Sequence, residues 1–197
     1  MNHKKVFLFI LPAIGAAILA VLSQLSFAFG TVPVTLQTFA IGLIATIFKP
    51  REAFLATVLY LLLGAIGLPV FAGGHGGLQA LLGPTGGYLL ASPIFALITS
   101  ALTSKNSSFL TTLVANILGD VVLFAGGVLG LHFLGGFEFT KAITIGVLPF
   151  ILADLLKMLL VAFVSQPIFY GLKFHYYFRD KQKTDSNYPF LNASTRI

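Results

Sequence analysis

The chain has no cysteine, and only 9 % of its 197 residues are Asp, Glu, Lys or Arg. The first absence excludes disulfides and thiolate metal sites, though it names no compartment. The second excludes more. A soluble domain carries about a quarter charged residues, whereas this chain is 57 % hydrophobic, with a mean hydropathy of +0.95. Most of it must sit in lipid. Also missing are an internal repeat, a low-complexity stretch, loops long enough for a separate soluble domain, and any GxxxxGK[ST] phosphate loop. The N-terminal apolar run follows two lysines but ends in no small-x-small cleavage site, and further runs follow it. It reads as a first transmembrane helix rather than a signal peptide.

What charge there is sits between the apolar runs. Spanning the hydrocarbon core takes roughly 20 apolar residues, and the runs divide into six: Val6–Ser26, Leu36–Phe48, Ala53–Leu68, Gly87–Thr103, Phe109–Phe133 and Ala142–Leu172. The second is short and needs part of the preceding TVPVT to span. The last is long enough to start outside the core, with Pro149 suited to the first turn of its regular part. With the N-terminus inside, Lys4, Lys5, Lys49, Arg51, Lys105 and the basic residues from Lys173 onward share one side, and only Lys141 lies on the other. A net charge of +6 distributed this way controls topology rather than binding nucleic acid, and places both termini in the cytoplasm. The expected fold is therefore an all-α integral membrane protein with six transmembrane helices. It forms a single domain over residues 1–172, followed by a polar cytoplasmic tail at 173–197. The sequons at Asn106 and Asn192 fall on the cytoplasmic side and are discounted.

This topology puts the segment GLPVFAGGHGGLQALLGPTGGYLL, from Gly67 to Leu90, on the outer side. It holds eight of the chain's twenty glycines and no charged residue. Glycine lets backbone approach a ligand closely, and irregular backbone at membrane depth is tolerated only where it is buried or lines a cavity. A pocket opening to the outer side, covered by uncharged loops, fits a small ligand with apolar and polar parts. Charged side chains within spans are functional candidates by default. Asp154 and Lys157 stand three apart and share a helical face. They read either as an internal ion pair packing the bundle or as a binding pair, Lys157 for an anionic group and Asp154 for ligand N–H groups. Asn116 and Asp120 also share a face, and Asn116 reads as either a helix bridge or a binding residue. His75 stands without the companions a metal site needs and reads as a loop histidine. In the first helix, Ala13 and Ala17, like Ala16 and Ala20, are four apart. Small residues so spaced allow close helix approach, within the bundle or to another membrane protein.

The run RxAFLATxLYLLLGAIGLPVFAGGxGGLxxLLGPTGGYLL, together with VPVTLQT at Val32–Thr38 and DLLK at Asp154–Lys157, closely resembles the biotin-specific S-components, the BioY family, of energy-coupling-factor transporters. The likeness extends from the first helix to the last. It implies a six-helix fold and an outward-facing biotin site in the plasma membrane of a prokaryote. It further implies assembly with a transmembrane coupling subunit and two ATPases, so that ATP is used only by partners and the chain needs no cofactor and is no enzyme. By position, Lys157 is assigned to the biotin carboxylate and Asp154 to a ureido N–H. Gly73, Gly74, Gly76, Gly77, Thr35, Gln37 and Tyr88 are assigned as lining, with Asn116 as a further candidate. Ala13, Ala16, Ala17 and Ala20 match the docking pattern. Ala153 departs from the family, where glycine precedes the aspartate. The rival readings are an S-component for another vitamin, such as thiamine or a lipoate-like acid, and an intramembrane enzyme using His75, Asp120 or Asp154.

Overall fold

A chain surrounded by hydrocarbon must satisfy its backbone N–H and C=O groups within itself, and helices do so inside each segment. The computed structural model describes residues 3–27 and 32–172, with side chains from residue 9; the polar tail expected at 173–197 lies outside them. Eight helices are described: α1 (His3–Ser23), α2 (Gln37–Ile47), α3 (Pro50–Ala65), α4 (Leu78–Leu82), α5 (Gly86–Leu102), α6 (Phe109–Phe133), α7 (Phe139–Gly146) and α8 (Ile151–Leu172). Of these, α6 and α8 are long and apolar enough to cross a membrane by themselves.

Local chemistry sets the boundaries. Pro50 opens α3, where its missing N–H has no helical partner to lose. The hydroxyl of Ser108 caps α6 by accepting from the Thr111 N–H at 3.2 Å. Two expectations are corrected. TVPVT does not lengthen the short second run: Pro33 cannot continue a helix and the β-branched residues favour extended backbone. Instead β2 (Val34–Thr35) pairs antiparallel with β1 (Ser26–Phe27), Ser26 opposite Thr35 and Phe27 opposite Val34. With 11 residues, α2 is only about 16 Å long at 1.5 Å per residue. The run Ala142–Leu172 is broken as well, into α7 and α8, by a turn at 147–150. Pro149 lies in that turn, ahead of the helix rather than in its first turn, because proline also disfavours helical backbone in Leu148 before it.

The helices pack so that α2 lies against both α5 and α8, while α3 lies between α1 and α5. The bundle is apolar outside and carries polar groups within its apolar core: Thr46, Thr57, Ser92, Thr99, Thr112 and Asn116 are buried, while Leu62, Ile66, Leu152, Leu156 and Phe163 are exposed. Such a surface suits lipid, which solvates apolar side chains and leaves polar ones to seek each other inside. Among the α1 alanines, Ala16 is buried in the bundle, Ala20 is half-buried, and Ala13 and Ala17 face outward.

The tightest crossing joins α5 to α6. A Cβ on Gly87 would meet Gly130 Cα at 2.8 Å and also collide with the Gly126 carbonyl. Both obstacles are backbone, so no side chain can give way. Gly87→Leu is expected to destabilise the bundle by roughly 1–3 kcal/mol through overpacking, read as a lower thermal midpoint in detergent. Gly171→Ala is the control, since nothing lies within 4 Å of the added methyl, and its midpoint should not fall.

Candidate functional site

The loops at one end of the bundle close over a cavity of about 410 Å³, within the range of small-molecule sites. One wall is the segment from Val32 through β2 into α2, contributing Thr35, Gln37, Thr38 and Ile41. A second is the glycine-rich segment with the start of α5, contributing Phe71, His75, Gly76, Gln79, Thr85 and Tyr88. Leu123 and Phe124 of α6, Phe150, and Asp154 and Lys157 of α8 complete the lining.

The glycine-rich segment is more regular than its composition suggests. It holds a 3₁₀ turn at Ala72–Gly74 and the short α4. Gly73, Gly74 and Gly77 have φ of +68°, +76° and +93°, values that L-residues with a Cβ adopt at a cost. The turn is anchored from both sides. Gln24 at the end of α1 donates through Nε2 to the carbonyls of Pro69 and Phe71, at 3.1 and 3.2 Å. Phe71 is buried and meets Tyr60 edge-on, their centroids 5.4 Å apart. Tyr60 in turn donates to Ser23 Oγ at 3.0 Å. One cavity wall is thereby tied to α1 and α3.

The polar focus lies on the facing wall. Lys157 Nζ is 2.6 Å from Asp154 Oδ1 and donates to Thr38 Oγ1 at 3.0 Å, and Thr38 Oγ1 donates to Asp154 Oδ1 at 3.1 Å. All three side chains line the cavity. An ammonium has three donors and a carboxylate several lone pairs. The cluster therefore keeps one lysine N–H and the second carboxylate oxygen for a ligand. Tyr88 offers its ring, since its hydroxyl is engaged with the Gly146 carbonyl at 2.6 Å.

Of the residues singled out in the sequence, Asp154, Lys157, Thr35, Gln37, Tyr88 and Gly76 line this one cavity. Gly73, Gly74 and Gly77 shape the loop behind the wall without being among the lining residues. Asn116 lies elsewhere: fully buried, it donates from Nδ2 to Thr46 Oγ1 and to the Thr112 carbonyl, both at 2.9 Å, holding α2 against α6. Its Oδ1 and that of Asp120 have no hydrogen-bond partner among the described residues. His75 is a loop residue as expected, and it also faces the cavity. The sequence reading missed Thr38, Gln79 and Thr85. For Thr38 the available signal was a hydroxyl at the start of an otherwise apolar run, directly after two residues already selected. Among the described residues no group of His, Asp and Glu is arranged to hold a metal ion.

Comparison with known proteins gives the same result by sequence and by shape. The BioY family matches residues 1–173. "Biotin transporter BioY2" of Lactococcus lactis is 44 % identical over 162 residues, which is 82 % of this chain and 89 % of that protein. "Biotin transporter BioY" of Thermotoga maritima is 39 % identical over 149 residues, 76 % and 88 % of the two chains. A crystal structure of the S-component for biotin from an ECF-type ABC transporter superposes with a TM-score of 0.76 at 26 % identity, covering 85 % of this chain and 93 % of that one. A helical bundle with this apolar surface, a loop-covered cavity and relatives matched over most of their length is a membrane protein of the BioY family.

Proposed function

We propose that this protein is the substrate-binding subunit for biotin uptake, capturing biotin at the cavity and releasing it through an ATP-driven partner module. The observation that carries this reading is the Lys157–Asp154–Thr38 cluster set into an otherwise mostly apolar chamber. Biotin presents what such a site can use: an apolar bicycle, a ureido group with two N–H donors and a carbonyl, and a carboxylate. Lys157 pairs with the carboxylate and Asp154 accepts a ureido N–H. Since the two side chains touch, they meet an incoming ligand at one place. For the two ends of biotin to be shared between them, the flexible lysine stem must swing off Asp154 as the carboxylate arrives.

Binding of labelled biotin to the purified chain tests this directly. Lys157→Met removes a charge-assisted bond of about 1.5–3 kcal/mol and should weaken biotin at least about tenfold. Asp154→Ala should also weaken it, because it removes the charged acceptor of the ureido N–H. For an uncharged biotin ester the Lys157→Met penalty should largely disappear. Unchanged affinity in both variants would remove these residues from the site, and tight binding of a different vitamin in place of biotin would move the ligand assignment.

The same reading places six spans in the plasma membrane of a prokaryote, with the termini cytoplasmic and the cavity opening outward. The charge asymmetry supports it: Lys49, Arg51 and Lys105 lie in or next to the α2–α3 and α5–α6 connections, while the cavity is built from the other ends. A chain without cysteine makes the test simple. In intact cells an impermeant maleimide should label Glu138→Cys and not Lys105→Cys; the reverse pattern inverts the topology.

Partner docking falls on α1, where Ala13 and Ala17 present a small-residue stripe to the outside and Ala16 and Ala20 let α1 approach its own bundle. The occupant is the transmembrane coupling subunit, which connects to two ATPases. Ala13→Trp with Ala17→Trp should block assembly and spare biotin binding in the isolated chain. Intact assembly in the double variant would remove this face from the interface.

A further inference from the structure

We propose that Thr38 is the positioning residue of this site, acting on the ligand by fixing where Lys157 stands; the inference rests on the biotin reading above. The hydroxyl has no freedom of polarity. An ammonium cannot accept a hydrogen bond, so Thr38 Oγ1 must accept from Lys157, at 3.0 Å, and spend its single proton on Asp154 Oδ1, at 3.1 Å. With the 2.6 Å contact between Lys157 and Asp154, the three groups close a triangle. Two of its corners lie on α8, and the third lies on α2.

The corners differ in stiffness. Lysine is a charge on a four-carbon flexible stem, whereas a β-branched threonine on a helix is restricted at χ1. The backbone beneath Thr38 is also held. The Leu36 N–H donates to the Leu25 carbonyl at 3.0 Å, and the Gln37 N–H donates to Thr35 Oγ1 at 3.1 Å. The first turn of α2 is thus fixed to the segment following α1 and to the β1–β2 ribbon. A rigid hydroxyl on one wall sets the position of a mobile charge on the other. Thr38 keeps hold of the ammonium as the lysine swings from Asp154 to the ligand carboxylate, which confines the mobile charge and lowers the ordering cost that the ligand meets. It also links the ribbon over the cavity to the charge pair through one short segment, Thr35 to Thr38.

The test is a mutant cycle on the purified full-length chain, read as biotin affinity. Thr38→Val keeps the shape and removes the hydroxyl, and should weaken biotin by about tenfold. Thr38→Ser, which retains donor and acceptor, should restore most of the affinity. In a Lys157→Met background Thr38→Val should have little further effect, because residues that act through one another are not additive. A merely structural threonine behaves differently: its loss adds in full to that of Lys157→Met. Wild-type affinity in Thr38→Val, no rescue by serine, or full additivity overturns the assignment while leaving the biotin reading intact. Failure of the unmodified chain to bind biotin overturns both.

Discussion

A lysine and an aspartate in direct contact, on a helix otherwise made almost wholly of carbon, set the main constraint on this molecule. Either charge alone in a span is costly by several kcal/mol, and removing one partner of a buried pair strands the other. Mutual contact with the Thr38 hydroxyl supplies a set of hydrogen bonds within the protein itself. Incomplete burial does the rest, since both side chains open onto a cavity that admits water or ligand. The pair thus needs a cavity, and the cavity needs α2 close to α8 with Thr38 facing it. A shorter or differently started α2 would leave the charges unsupported. The helix begins where the β1–β2 ribbon delivers it, one residue before its first cavity-lining hydroxyl.

The opposite wall depends on different chemistry. The glycine-rich segment contributes no formal charge, but aromatic and aliphatic side chains, Gln79, Thr85, His75 and backbone. Its shape comes from positive-φ glycines and its position from burial of Phe71 under Tyr60 and from the side chain of Gln24. A segment held at a few points and otherwise exposed can open at lower free energy than the helices it connects. One wall carries its charges on packed helices, and the other is neutral and built from loop. That division suits a site that must recognise polar groups at fixed positions and still admit and release its ligand.

How much of this was legible in the sequence depends on the range of the interaction. Helix positions were readable because a lipid-facing span announces itself by composition, and Phe109–Phe133 was placed to the residue. The α7–α8 break was not, because hydropathy stays high across it and Pro149 alone does not say whether it begins a helix or separates two. TVPVT was misread as helix extension for a related reason: apolar content satisfied the length argument, while pairing with Ser26 and Phe27 is a nonlocal fact. The charge pair could be read as sharing a helical face from its spacing of three. Thr38 could not be joined to it, since 116 and 119 residues separate it from its two partners. Spacing along one helix is local information. Contact between helices is not.

The same limit explains why two pairs of similar appearance have different surroundings. Asn116 and Asp120 share a face of α6 as Asp154 and Lys157 share one of α8, and from sequence each pair allowed a packing reading and a binding one. What separates them is what the facing helix offers. Opposite Asn116 stands Thr46, fully buried, whose hydroxyl accepts from the amide and draws α2 and α6 together. Opposite Lys157 stands Thr38, half-buried and two turns earlier on α2, and there the pair borders the cavity rather than packed side chains. One helix, α2, therefore supplies a hydroxyl to both pairs: near its C-terminus as an interhelical bond in the closed part of the bundle, near its N-terminus as part of an open cluster. Within its 11 residues these two contacts lie about 12 Å apart along its axis, at 1.5 Å for each of the eight steps from Thr38 to Thr46. The contact near the C-terminus holds the helix while the one near the N-terminus faces the cavity.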